Sequence, residues 1–185
     1  MGCYFGIMLK RTVYFNRIIF FSLLIASCQS KTATNDSTEQ AILSSNPYTV
    51  YVTYSNDCPF CIRYTQTLRE IRDSLPLNWG FKLLKVNSKE NWDFDWSVSI
   101  SDDMVDDEDR VYCNLFDLDV YPEAVIADSS GRVLYKGAVD DRVYAIGLSK
   151  PKLRHTYLKD AIIAVETGET VNPKKTKAVG CFIEP

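Results

Sequence analysis

The sequence has no basic stripe, no internal repeat, and a net charge of only −3 over 185 residues. Those absences argue against a nucleic-acid surface and against a repeat architecture. Histidine is nearly missing, with His155 the only one. The apolar run near the start, residues 18–26, is too short to span a bilayer comfortably. Only one CxxC pair occurs, whereas zinc sites of the common four-ligand kind draw on more. The acidic stretch at 102–109 lacks the twelve-residue loop pattern of a calcium site and reads as a solvated surface or helix start. What is present is an ordinary globular composition and enough chain for one domain with a real core.

Lys10, Arg11 and Arg17 precede the apolar run, the order of a secretory signal. The run ends in Ile25-Ala26-Ser27-Cys28, which resembles the bacterial lipobox: an aliphatic residue, two small residues, then the cysteine that is lipidated. Residues 1–27 are therefore expected to be removed and Cys28 to carry the lipid. The removed segment holds three basic residues and no acidic one, so the charge would pass from −3 to −6. Residues 29–39 are polar, without a core pattern, and residues 28–45 read as a flexible tether. The expected location is the cell envelope, on the periplasmic side. Gln29 in place of aspartate after Cys28 favours the outer membrane under enterobacterial sorting rules.

The folded part is expected over residues 46–168, with a tail at 169–185. Residues 48–55 are rich in β-branched and aromatic side chains and read as a strand. Pro59 suits the first turn of a helix, followed by the stripe Ile62, Leu68, Ile71 and Leu75, which stops before Pro76. Residues 81–86 form a second strand, so the first unit is a parallel β-α-β crossover. Residues 87–109 are harder to read. They hold Trp92, Phe94 and Trp96 before the acidic run. A helix follows to Phe116, with Val111, Cys113 and Leu115 near one face. Residues 123–127, the turn 128–131 and residues 133–135 form a hairpin. A last helix covers 152–167, with Leu158, Ile162 and Val165 inward and Gly168 at its end.

At the first strand-to-helix junction lies Cys58-Pro59-Phe60-Cys61. A thiolate is the reactive form of cysteine, and a helix N-terminus favours it. With Tyr121-Pro122 directly before the third strand, this order resembles the thioredoxin fold. The segments 121–128, 131–142 and 155–183 resemble bacterial lipoproteins of the redoxin type. The resemblance implies an α/β thioredoxin-like fold, a central mixed sheet flanked by helices. It also implies a cis Tyr121–Pro122 bond that offers the backbone of Tyr121 to an extended peptide. Cys58 would be the nucleophile and Cys61 the resolving thiol, with Pro59, Phe60, Tyr121 and Pro122 framing the substrate. The implied activity is thiol–disulfide exchange with envelope proteins, supplied by an upstream thiol donor, with no cofactor and no metal.

Two departures stand out. The acid that thioredoxins bury six residues before the first cysteine is Val52 here, leaving proton transfer to Asp57, another group or water. The dipeptide Pro59-Phe60 is closer to the Pro-Tyr of glutaredoxins than to Gly-Pro. Cys113 and Cys181 leave three arrangements open: a disulfide between them, a relay from Cys181 to the CxxC pair, or free thiols. His155 reads as a helix-surface residue, and Asp140-Asp141-Arg142 as a loop with its own salt bridge. Other functions remain in view. A peroxidase would use Ser55 three residues before Cys58, but Tyr51 stands where its motif has proline. A copper carrier would use Cys58, Cys61 and His155, since soft thiolates suit Cu(I). A purely structural lipoprotein would hold Cys58–Cys61 as a permanent staple.

Overall fold

Six of the seven residues of β1 (Tyr48–Tyr54) are buried, and a strand buried on both faces belongs in the middle of a sheet. The computed structural model describes residues 44–55, 57–86, 103–145 and 147–184. The signal segment, Cys28, nearly all of the tether, and Trp92, Phe94 and Trp96 lie outside them. β2 (Trp79–Lys85) runs parallel to β1 on one side, and β5 (Ala124–Asp128) runs antiparallel to it on the other. β3 (Met104–Asp106) adds to β2 in parallel, and β6 (Val133–Gly137) adds to β5 through the hairpin turn. The result is a five-stranded mixed sheet of order β3-β2-β1-β5-β6. Two short pairs stand apart: β4 (Val120–Tyr121) with β9 (Cys181–Phe182), and β7 (Val143–Ala145) with β8 (Leu148–Ser149).

Helices cover both faces. The Tyr51 ring packs on Tyr112 and Phe116 of α2 (Val111–Phe116), with centroids 5.4 and 4.9 Å away. The Tyr54 hydroxyl lies 3.2 Å from Thr65 Oγ1 of α1 (Pro59–Ser74). Residues three apart on a strand point to opposite faces, so α1 and α2 lie on opposite sides of β1. The third helix, α3 (Tyr157–Glu166), buries Leu158, Ala161 and Ile162. No helix among the described residues is long and apolar enough to cross a membrane.

Local chemistry explains where the elements depart from expectation. α1 buries Cys61, Tyr64, Leu68 and Ile71, whereas Ile62 is 48 % exposed. The buried set recurs at three- and four-residue steps, and Ile62 falls about 100° around from it. β3 was hidden in the sequence because three residues between acidic stretches carry no period. The acidic run is not wholly a solvated surface. Asp107 is 2 % exposed, and its carboxylate accepts the backbone N–H groups of Tyr112 at 2.9 Å and Cys113 at 3.0 Å, closing the start of α2. α3 begins at Tyr157 rather than near residue 152. The N–H groups of Arg154 and His155 are instead drawn to Asp141 Oδ1, at 2.9 and 3.2 Å.

The tail is not an appendage. Val171 and Ile183 are each 7 % exposed and belong to the core. Residues 174–176 run along β6: Lys136 N–H donates to the Lys174 carbonyl at 2.9 Å, and Thr176 N–H donates to the Lys136 carbonyl at 3.0 Å. The described tail is part of the same compact unit, Ile42–Pro185, as the sheet.

Candidate active site

Between the end of β1 and Pro59 the chain turns so that Cys58 takes the cap position of α1, with extended backbone angles of φ −87° and ψ 112°. Cys58 N–H donates to the Ser55 carbonyl at 3.4 Å, and the Cys58 carbonyl accepts from Ile62 N–H at 3.2 Å. The sulfur therefore sits at the end of the helix where N–H groups lack intrahelical partners. Cys61, one turn in, is fully buried.

Opposite lies the Tyr121–Pro122 bond, which is cis. Thr53, fully buried on β1, holds this loop in place. Its hydroxyl donates to the Val120 carbonyl at 2.6 Å and accepts from Glu123 N–H at 2.8 Å, and its own N–H donates to the Glu123 carbonyl at 3.0 Å. The Tyr121 hydroxyl donates to the Val86 carbonyl at 3.2 Å. The Tyr121 carbonyl oxygen comes to 3.4 Å from Cys58 Sγ. Thr53→Val keeps the shape and removes the hydroxyl, orphaning the buried Glu123 N–H and the part-buried Val120 carbonyl. The expected cost is about 2 kcal/mol, read by urea unfolding, and a loss below about 0.5 kcal/mol would show that the loop stands without Thr53.

The place beside Tyr121 is taken by the chain's own tail. β9 pairs antiparallel with β4, setting Cys181 against Tyr121 and Phe182 against Val120. Ile183 N–H donates to the Asp119 carbonyl at 2.9 Å. Gly180 makes the approach possible: a Cβ there would lie 1.8 Å from the Tyr121 carbonyl oxygen. Cys181 Sγ ends 2.6 Å from Cys58 Sγ, and Cys58 is only 2 % exposed. Cys58 is therefore covered by another cysteine, Cys181.

The three sulfurs have unequal acidities. The Cys61 thiol, hydrogen-bonded to Cys58, does most to lower the Cys58 pKa to about 5. Burial opposes this, while the Cys181 thiol and the backbone N–H groups of Cys61 and Cys181 assist. Cys61 is raised well above the usual thiol value, first by burial and then by the facing Cys58. Cys181 is pushed up to about 12, again first by burial and then by Cys58. The cluster thus holds one thiolate between two protonated thiols, which is the state needed for attack on a disulfide.

The other residues singled out in the sequence fall as follows. Pro59 is exposed and Phe60 half-buried at the rim, while Pro122 is buried. Val52 is fully buried, and Asp57 is exposed. Cys113 is a buried free thiol whose pKa is raised to about 12, chiefly by burial and then by Asp107. The sulfur that Cys181 meets is that of Cys58. His155 stacks on Tyr157 with centroids 5.3 Å apart. No group of three or more His, Cys, Asp or Glu side chains is arranged for a metal among the described residues. Asp140 and Asp141 are 2 % and 5 % exposed, so this loop is more than a surface salt bridge. Asp140 accepts from the Tyr64 hydroxyl at 2.6 Å and lies 3.3 Å from Arg142. Lys150, 2.7 Å from Asp141, does most to hold that carboxyl below its usual range. Thr53 and Gly180 were missed. A glycine directly before a tail cysteine was the one signal for the latter.

No protein-family model and no characterised protein matches this sequence. Solved structures do. An uncharacterized conserved protein from Geobacillus kaustophilus is 22 % identical, with a TM-score of 0.56 over 76 % of this chain and 78 % of that one. A hypothetical protein from Sinorhizobium meliloti 1021 is 19 % identical, with a TM-score of 0.57 over 80 % of this chain and 82 % of that one. At these identities the likeness is one of fold.

Proposed function

We propose that the chain is a thioredoxin-like thiol–disulfide oxidoreductase of the bacterial cell envelope, tethered by a lipid on Cys28. The observation that carries this reading is the placement of Cys58. It stands at a helix N-terminus, faces a cis-proline loop and has Cys61 one turn behind it. A structural staple needs none of these.

In the proposed cycle the Cys58 thiolate attacks one sulfur of a partner's disulfide. The Cys58–partner bond forms, the partner's S–S bond breaks, and the departing partner sulfur takes a proton. Cys61 then gives up its proton and attacks the Cys58 sulfur, releasing the second partner sulfur. The partner gains two electrons and two protons, and Cys58–Cys61 is left as a disulfide for an upstream dithiol to reduce. Run backwards, the same steps oxidise a partner. Because Val52 carries no proton, the Cys61 proton must leave by another route. The lowered Cys58 pKa supports a good leaving group and a stabilised reduced pair. The peroxidase and copper readings have less behind them. Ser55 Oγ is engaged by Asp57 N–H at 3.3 Å, and His155 is stacked on Tyr157.

Trapping tests the proposal. In a Cys61→Ser/Cys181→Ser variant neither neighbouring thiol is left to resolve the mixed disulfide. Envelope proteins should accumulate on Cys58, identifiable by mass spectrometry after non-reducing separation. Equal adducts in a variant that also lacks Cys58, C58S/C61S/C181S, would dismiss it.

A further inference from the structure

We propose that the C-terminal strand is a built-in substrate mimic. It occupies the peptide seat beside Tyr121 and carries Cys181 as a third redox thiol, which closes a reversible disulfide with Cys58. The inference rests on the exchange chemistry assigned to Cys58, and it names that site's first partner as the protein's own tail.

Four observations converge. β9 pairs with Tyr121 in antiparallel register, the backbone recognition by which an extended peptide adds to a strand edge. Gly180 packs against the Tyr121 carbonyl, where any side chain would collide. Ile183 anchors the far end in the core. Between these two anchors the sulfur of Cys181 is delivered to 2.6 Å from that of Cys58, within reach of bond formation.

The three cysteines also divide the labour by access. Cys58 and Cys61 are buried, and Cys181 is the partly exposed member. An oxidised dithiol supplies the oxidant. Cys58 and Cys181 lose two protons and two electrons to its disulfide, the Cys58–Cys181 bond forms, and two thiols are released. Two exits then follow. Cys61 attacks the Cys58 sulfur, expelling Cys181 as a thiolate that takes a proton, and the disulfide moves to Cys58–Cys61 with no net change in oxidation. Alternatively an external thiolate attacks the accessible Cys181 sulfur and expels Cys58, whose low pKa makes it the better leaving group. Cys181 in this scheme is the point where electrons enter or leave a covered site.

The test oxidises the full-length Cys61→Ser protein with glutathione disulfide, blocks free thiols with iodoacetamide, and maps tryptic peptides without reduction. Peptide 178–185, which carries Cys181, should be found joined to the peptide carrying Cys58. A second variant, Gly180→Ala, should unseat the strand and raise iodoacetamide labelling of Cys58 about tenfold, since labelling then no longer waits for the strand to open. If Cys58 is captured by glutathione while Cys181 stays free to alkylate, the mimic is overturned and the exchange reading survives. If Cys58 forms neither adduct, both fall. Unchanged Cys58 labelling in folded Gly180→Ala protein also overturns the seat.

Discussion

Cys58→Ser protein is expected to reduce an insulin disulfide no faster than free dithiol, a fall of about a thousandfold or more of the kind seen when a catalytic nucleophile is removed. The argument is chemical rather than structural. Serine nearly matches the shape of cysteine, so the 2 % exposed site should stay packed. What goes is a sulfur whose pKa is lowered to about 5, and a hydroxyl cannot ionise near neutral pH to replace it. The wild-type pH profile checks the same claim. A thiol with a depressed pKa is ionised above that pKa and protonated below it. Alkylation of Cys58 should therefore be flat from pH 7 to pH 6 and fall about tenfold per unit well below pH 5. A midpoint near 9 would mean that the Cys61 and Cys181 thiols do not stabilise the anion. Catalysed turnover surviving in Cys58→Ser would remove the oxidoreductase assignment.

Gly137→Ala should cost about 2–4 kcal/mol, the combined scale of a forbidden backbone conformation and an overpacked contact. Gly137 ends β6 with φ at +141°, a region that side chains disfavour. A Cβ would also lie 2.3 Å from both the carbonyl oxygen and the hydroxyl of Thr176. Those Thr176 groups cannot simply step aside: the residue's N–H is bonded to the Lys136 carbonyl, and its hydroxyl accepts from Ala138 N–H at 2.9 Å. Gly168 is the control. Its φ is +74°, but nothing lies within 4 Å of an added Cβ, so Gly168→Ala should cost only about 1 kcal/mol of strain. Urea unfolding of the two variants side by side isolates the contact. Equal losses would show that the tail gives way at Thr176 without consequence.

The parts of the fold legible in the sequence were those whose burial leaves a period. β1, α1 and the β5–β6 hairpin each carry a dense apolar pattern bounded by Pro or Gly. β3, β4 and β9 are two or three residues long, too short for any period; β3 forms on the edge that β2 offers, and β4 and β9 form only on each other. The tail illustrates the limit. Thr170 to Pro185 holds Lys174, Lys175 and Lys177 and scattered apolar residues, so it reads as loop. Its order comes from β6 and from Tyr121, neither of which is near in sequence. In the site, the cysteine spacing and Tyr121-Pro122 marked two of the three components. The third, Cys181, was weighed as a relay to the CxxC pair but could not be told apart from a partner of Cys113, because 123 positions separate it from Cys58. Asp107 shows a similar limit: charge composition allowed a helix start in this run, but not which member turns inward to meet α2.

Cys113 has a use that its inertness confers. It is 1 % exposed, free, and protonated at neutral pH under the joint effect of burial and Asp107. A reagent reaches the Cys58 cluster once the tail strand opens, whereas Cys113 is a buried residue of α2. Its labelling clock therefore runs on the opening of the α2 layer itself. One protein thus carries two timers of its own breathing, and their ratio reports how far the mobility around Cys58 is insulated from that around Cys113.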